Sequence, residues 1–327
     1  MFMHTLFLTF WLTIQAFTTQ YSGNPDACDL KETGFLFASS DQGNTWKDIG
    51  KGLPESLNPI SFWAEGGTYY LGANSGLYVG SAMVPVTKWE KSLLQQKDIR
   101  GVYPGQHGPY AVCQWHGFYE FQKGSGLWRS MTTSLEDQAV NTLVESKNGI
   151  LYAGSESGLF TSADHGKSWT AILQKGPVNE LLVTDHVLIA CTNTNAWKST
   201  DNGKNWSRVS TGTQSPFKVV ALQSGLAALC LGPDLGGMRA PNTVYLSKDN
   251  GATWNPMPHD LPSGMSDIYE LLQSGNDLFA SGREGIYRSS DDGQSWTRVF
   301  ENKNEKGGFF KLTLSEGELF ILYMEGC

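Results

Sequence analysis

The chain has 327 residues, a formal charge of −8, 17% charged and 12% aromatic residues, and 37 glycines. No Lys/Arg cluster stands out, so a nucleic-acid footprint is not expected. A low-charge, Gly- and Trp-rich chain with many short apolar runs reads as all-β.

The run from Met1 to Ala16 holds no Asp, Glu, Lys or Arg and is short and Thr-rich. It reads as a secretory signal peptide within residues 1–20, cleaved near Ala16 or a few residues beyond. The mature body, 21–327, contains no run of eighteen apolar residues. No membrane span is expected in it, and the expected location is secreted or periplasmic.

The first strand, Gly34 to Ala38, is followed by Ser39 to Trp46, a segment of the form Ser-x-Asp-x-Gly-x-(Ser/Thr/Asn)-Trp. The same pattern returns at Ser162 to Trp169, Ser199 to Trp206, Ser247 to Trp254 and Ser289 to Trp296. An Asp side chain accepts from backbone N–H groups two or so residues on, which closes a turn. The Gly supplies a positive φ for the hairpin. The Trp opens the next strand and packs its ring in the sheet. Turn chemistry accounts for every fixed identity, so metal binding or catalysis by these aspartates is not expected.

Trp89, after Gly76-Leu77-Tyr78-Val79, and Trp128, after Gly117-Phe118-Tyr119, mark two degenerate copies. The series Trp46, Trp89, Trp128, Trp169, Trp206, Trp254, Trp296 has gaps of 43, 39, 41, 37, 48 and 42. A period near forty with four short strands is a propeller blade. Val140–Val144, Ile150–Gly154, Gly158–Ser162 and Trp169–Ile172 give the strands of one blade, and Asp277–Ser281 with Gly285–Ser289 repeat the grammar. The fold expected is a seven-bladed β-propeller.

The repeated segment resembles the Asp-box, or BNR repeat, of a superfamily that includes sialidases, sortilin-type receptors, xyloglucanases and photosystem II assembly-factor propellers. The resemblance implies a propeller whose boxes lie on the rim away from the active face.

The first box is preceded by one strand, and the last is followed by two, Phe309–Leu314 and Glu318–Tyr323. The C-terminal strands are therefore expected to complete the N-terminal blade and close the ring. This brings Cys28 and Cys327 into one connection, where an exported chain forms a disulfide. Cys113, Cys191 and Cys230 align at one second-strand position, with Gly72, Gly154 and Ser281, and read as inert core thiols.

Propellers bind at the central channel, on the face built from connections into the inner strand and between strands two and three. Aligned inner strands place Ser61, Arg100, Asn141, Asn179, Lys218, Tyr269 and Lys311 at one equivalent position. They are either hydrated channel residues or a binding mouth. Connections over the same face carry Trp115 and His116, Glu156, the long segment 232–242 with Arg239, and Arg283-Glu284. The cations favour a carboxylate, a phosphate or an acidic peptide. Trp63, Trp115 and Tyr269 suit a sugar or peptide.

The leading expectation is a non-catalytic binding or assembly propeller taking an anionic small molecule, a glycan or a peptide, or another protein. No cofactor, metal ligand set or catalytic residue is expected. The alternative is a sialidase-like or other glycoside hydrolase. Its resemblance would assign Arg100, Arg239 and Arg283 to a carboxylate-binding triad and Tyr269 with Glu180 or Glu270 to the chemistry. Against it, no Arg precedes Arg100, the family's Arg-Ile-Pro segment is absent, and sialidase rings usually have six blades. For another glycosidase, Glu156, Glu180, Glu270 and Glu284 are the candidate carboxylates. A photosystem assembly-factor-like propeller also suits seven blades and a basic mouth.

Overall fold

A computed structural model describes residues 34–325 apart from 83–87, 96–97, 114–116, 132–134, 136–137, 213, 237–239, 258–264, 266 and 304–306. The signal-peptide segment, Cys28, Cys327, Trp115, His116 and Arg239 lie outside the described residues.

Seven four-stranded antiparallel sheets stand in a ring. β1 (Leu36–Ser39) and β2 (Lys47–Asp48) flank the first box. Blade 1 is β3 (Pro59–Glu65), β4 (Thr68–Ala73), β5 (Gly76–Ser81) and β6 (Lys88–Gln95). Blade 2 is β7 (Ile99–Tyr103), β8 (Tyr110–Cys113), β9 (Phe118–Gln122) and β10 (Leu127–Met131). Blade 3 is β11 (Val140–Glu145), β12 (Leu151–Ser155), β13 (Gly158–Ser162) and β14 (Thr170–Leu173). Blade 4 is β15 (Val178–Val183), β16 (Leu188–Thr192), β17 (Ala196–Ser199) and β18 (Ser207–Arg208). Blade 5 is β19 (Pro216–Leu222), β20 (Gly225–Cys230), β21 (Thr243–Ser247) and β22 (Asn255–Pro256). Blade 6 is β23 (Glu270–Ser274), β24 (Asp277–Gly282), β25 (Gly285–Ser289) and β26 (Thr297–Glu301).

Blade 7 combines both ends of the described chain. Its order is β2-β1-β28-β27, with β27 (Gly308–Ser315) innermost and β28 (Glu318–Glu325) paired to β1. Leu36 sits opposite Leu322, and Ser39 opposite Leu319. Each inner strand contacts the next, from β3 round to β27 and back to β3, so the ring is closed as the strand inventory requires. Apolar residues of facing sheets fill the space between blades. One such cluster joins Phe62, Tyr69 and Leu71 of blade 1 to Phe310, Phe320 and Leu322 of blade 7.

The five boxes form one turn. Ser39 Oγ donates to Asp41 Oδ1 at 2.8 Å and accepts the Gly43 N–H at 2.8 Å. Asp41 then accepts the Thr45 N–H at 2.9 Å and the Thr45 hydroxyl at 2.6 Å. Asp164, Asp201, Asp249 and Asp291 hold equivalent bonds from Ser168, Asn205, Thr253 and Ser295. The residue before the glycine is also left-handed, with φ between 55° and 59° at Gln42, His165, Asn202, Asn250 and Asp292. The turn thus strains one side chain per copy, and the aspartate's bonds to the backbone hold it there.

The tryptophans do more than line their own sheets. Trp46 Nε1 donates to Val299 O of blade 6 at 3.1 Å, Trp89 to Ile49 O beside blade 7 at 2.7 Å, and Trp206 to Ile172 O of blade 3 at 2.8 Å. Each of these three indoles ties its outer strand to the preceding blade.

The cysteine alignment needs correction. Cys191 pairs with Ala196 and is equivalent to Gly72, Gly154 and Ser281, which pair with Leu77, Leu159 and Ile286. Cys230 pairs with Thr243, and the Cys113 N–H bonds Gly117 O. These two stand one residue further along, with Ala73 and Ser155, and so face the opposite side of their sheets. All three thiols are buried and unbridged.

Candidate functional site

Antiparallel pairing brings the start of each inner strand and each second-to-third-strand connection to one face, and the box turns to the other. Ser61, Arg100, Asn141, Asn179, Lys218, Tyr269 and Lys311 all lie at the inner-strand starts on the first face, but they do not occupy one level. Five inner strands carry a register shift near their start: at Pro59/Ser61, Ile99/Gly101, Val140/Thr142, Val178/Glu180 and Pro216/Lys218. An extra residue opposes one partner there, which re-aims the side chains that follow.

Pairing to the second strand defines the level that encircles the axis. Its members are Ser61, Gly101, Thr142, Glu180, Lys218, Glu270 and Lys311, opposite Gly72, Val112, Gly154, Cys191, Leu229, Ser281 and Leu322. Ser61, Lys218 and Lys311 keep the place the sequence alignment gave them. Arg100, Asn141, Asn179 and Tyr269 sit one residue earlier. Glu180 and Glu270 take the positions assigned to Asn179 and Tyr269.

This collar stitches neighbouring blades. Lys311 Nζ donates to Ile60 O at 3.0 Å, from blade 7 to blade 1. The Val102 N–H donates to Ser61 Oγ at 2.9 Å, and the Tyr103 hydroxyl to Asn141 O at 2.9 Å. Asn141 Nδ2 donates to Asn179 Oδ1 at 3.1 Å and to Val178 O at 3.3 Å. Lys218 Nζ donates to Glu270 at 2.7 Å and lies 3.7 Å from Glu180. Gly101 contributes no side chain, and a Cβ there would clash with the Tyr103 ring.

Burial sets the electrostatics. The side chains of Lys218 and Glu270 are 19% and 12% exposed, whereas that of Glu180 is 44% exposed. Burial works to lower the Lys218 pKa, but the carboxylates of Glu180 and Glu270 more than offset it and raise it above the usual lysine value. Burial pushes Glu270 up against the opposing pull of Lys218. Burial also lowers Lys311 despite the nearby Glu270. The Tyr103 hydroxyl is pushed up by burial and then by Glu180.

At the mouth above the collar, Arg100 pairs with Asp98 at 3.2 Å and Arg283 with Asp267 at 3.5 Å. The Tyr269 hydroxyl donates to Asp267 at 3.4 Å, and its ring meets Phe309 of blade 7 with centroids 5.7 Å apart. Asn179 Nδ2 continues the amide series by donating to Asn193 Oδ1 at 2.5 Å. Glu284 pairs with Arg298 at 3.4 Å. Trp63 lies two residues beyond Ser61, half-buried against the cluster of Tyr70 and Ile99 rather than at the mouth. Sequence reading passed over Asp98, Asp267, Asn193 and Phe309. The signal available was proximity, since Asp98 and Asp267 each stand two residues before a chosen residue.

The mouth therefore offers compensated charges, a run of three amides and an aromatic pair. A cleft of about 460 Å³ lies elsewhere, among Asn44, Arg288, Ser290, Asp291, Ser295, Thr297 and Val299, between the box turns of blades 6 and 7. Arg288 reaches Asp277 at 2.6 Å and Gln42 O at 3.3 Å there, which is a latch between blades.

Residues 114–218 match the DUF6242 beta propeller domain, about a third of the chain. A xyloglucanase of Hypocrea jecorina (strain QM6a) is 28% identical over 170 residues, which is 46% of this chain and 20% of that enzyme, so the chain spans only a fifth of the relative's length. Among solved structures, YCF48 bound to D1 peptide superposes with a TM-score of 0.62 at 15% identity, covering 90% of this chain and 98% of that one. YCF48 from Cyanidioschyzon merolae gives 0.61 at 12% identity over 83% and 96%. The extracellular domain of a putative hybrid two-component system from B. thetaiotaomicron gives 0.61 at 11% identity over 82% and 39%. At these identities the likeness establishes the propeller fold. Among the described residues no helix is long and apolar enough to cross a membrane.

Proposed function

We propose that this chain is an exported, non-catalytic binding or assembly propeller that holds a peptide segment across the axial mouth. The observation that carries the reading is that three of the five expected cations are compensated: Arg100 by Asp98, Arg283 by Asp267 and Lys218 by Glu270. Compensation at these three cations disfavours a small anion there, and amides with aromatics suit a polypeptide backbone and its side chains. The D1 peptide bound to YCF48, a propeller of the same shape, supports the same ligand class. The Ser-x-Asp-x-Gly-x-x-Trp turns support membership of the Asp-box superfamily. Export rests on the apolar leader and agrees with the extracellular placement of the similar B. thetaiotaomicron domain.

Similarity to a xyloglucanase favours a glycoside hydrolase as the second reading. A hydrolase needs two carboxylates facing each other across a sugar. Here Glu180 and Glu270 flank one lysine, which speaks against that use.

A library of extended peptides, together with sialosides and xyloglucan oligosaccharides, tests the choice. Retention of a peptide subset that weakens in Asn179→Ala and Tyr269→Ala is expected. Turnover of any glycoside that disappears in Glu270→Gln would overturn the reading.

A further inference from the structure

Resting on that binding reading, we propose that the ligand presents a positively charged group to the axis, an ammonium or guanidinium of a basic peptide, and that Glu180 is its counter-ion. The collar runs Glu180, Lys218, Glu270, Lys311 through four consecutive blades, two charges of each sign. Its members are not equally satisfied. Lys218 gives its short bond to Glu270 at 2.7 Å and stands 3.7 Å from Glu180, beyond hydrogen-bond length. Lys311 spends its ammonium on Ile60 O. Glu180 is the most exposed of the bonded trio, and its long contact with Lys218 is the one ion pair it makes among the described residues.

Arg100 and Arg283 each already face a carboxylate, so an anion incoming at either would have to compete with Asp98 or Asp267. An incoming cation meets a half-exposed carboxylate that still has acceptor capacity. It does not have to displace Lys218, which Glu270 retains. On the side of Glu180 away from Lys218, the collar holds Thr142 and then Gly101, so no second cation of the collar stands there. Asn179 and Asn193, beside Glu180 on blade 4, add carbonyl acceptors of the kind an ammonium uses.

The probes are matched peptides from the retained subset, carrying lysine, norleucine or glutamate at one position. The lysine peptide is expected to bind about tenfold to a hundredfold more tightly than the norleucine peptide, the scale of a hydrogen bond to a charged group. In Glu180→Gln that difference should vanish. Raising salt should weaken the lysine peptide alone. Equal binding of lysine and norleucine peptides, or preference for glutamate, overturns the proposal and leaves the binding reading standing. Failure of every peptide to bind overturns both.

Discussion

The backbone N–H of Tyr323 donates to the carbonyl of Phe35 at 2.7 Å, joining the last strand of the described chain to its first. With Leu36 opposite Leu322, this bond begins the seam on which ring closure depends. Removing residues 307–327 would expose an unpaired edge on β1 and uncover Phe62 and Tyr69 of blade 1. The truncated chain is expected to lose its cooperative melt and to aggregate on size exclusion.

Cys28 stands seven residues before Phe35, and Cys327 four after Tyr323, so the seam favours their pairing. A disulfide there would stabilise the fold by about 3–5 kcal/mol by restricting the unfolded chain. Non-reducing peptide mapping should recover the Cys28–Cys327 pair, and Cys28→Ser should lower Tm by several degrees. Two free thiols in the exported protein would refute the pairing.

The Lys218–Glu270 pair is largely buried, so removing one partner is expected to cost more than removing both. Lys218→Met leaves a carboxylate buried without its partner and should cost about 3–5 kcal/mol in urea unfolding. Lys218→Met with Glu270→Leu should recover most of that loss, because both desolvated charges are gone. A double variant as unstable as the single one would contradict this account.

Acid should loosen the rim turns. Hydrogen bonds from Thr45, Asn205 and Ser295 hold the carboxyls of Asp41, Asp201 and Asp291 at about 2, against an ordinary value of 3.8. Depressed folded-state values mean that the stabilisation is present above the unfolded value and is lost as pH falls from about 4 towards about 2. Thr45→Val should raise the Asp41 pKa, seen in carboxyl NMR titration, and shift acid unfolding to higher pH. An unchanged Asp41 titration would contradict the role given to Thr45.

Burial pushes the Cys230 thiol up to about 11 and raises Cys191 as well. Thiolate is the reactive form, so both should resist a disulfide reagent in the native protein. Both, with buried Cys113, should react in denaturant. Rapid native labelling of any of the three would show local opening at that second strand.

The sequence by itself determined the blade number, the box turns and the shared seventh blade. These follow from short-range rules: a turn pattern fixed within eight residues, tryptophans at a near-constant interval, and an inventory that leaves two strands around the first box and two spare at the end. Tertiary structure alone decided what lines the axis. A bulge adds one residue to an inner strand without changing its apolar pattern, so counting cannot reveal whether Asn179 or Glu180 stands at the collar. Pairing with the third strand, not spacing, separated Cys191 from Cys113 and Cys230. Pairing also decided the sign of the mouth. Arg100 and Arg283 read simply as cations in the sequence, yet their electrostatic effect depends on Asp98 and Asp267 at ion-pair distance, and such distances exist only once the chain has folded.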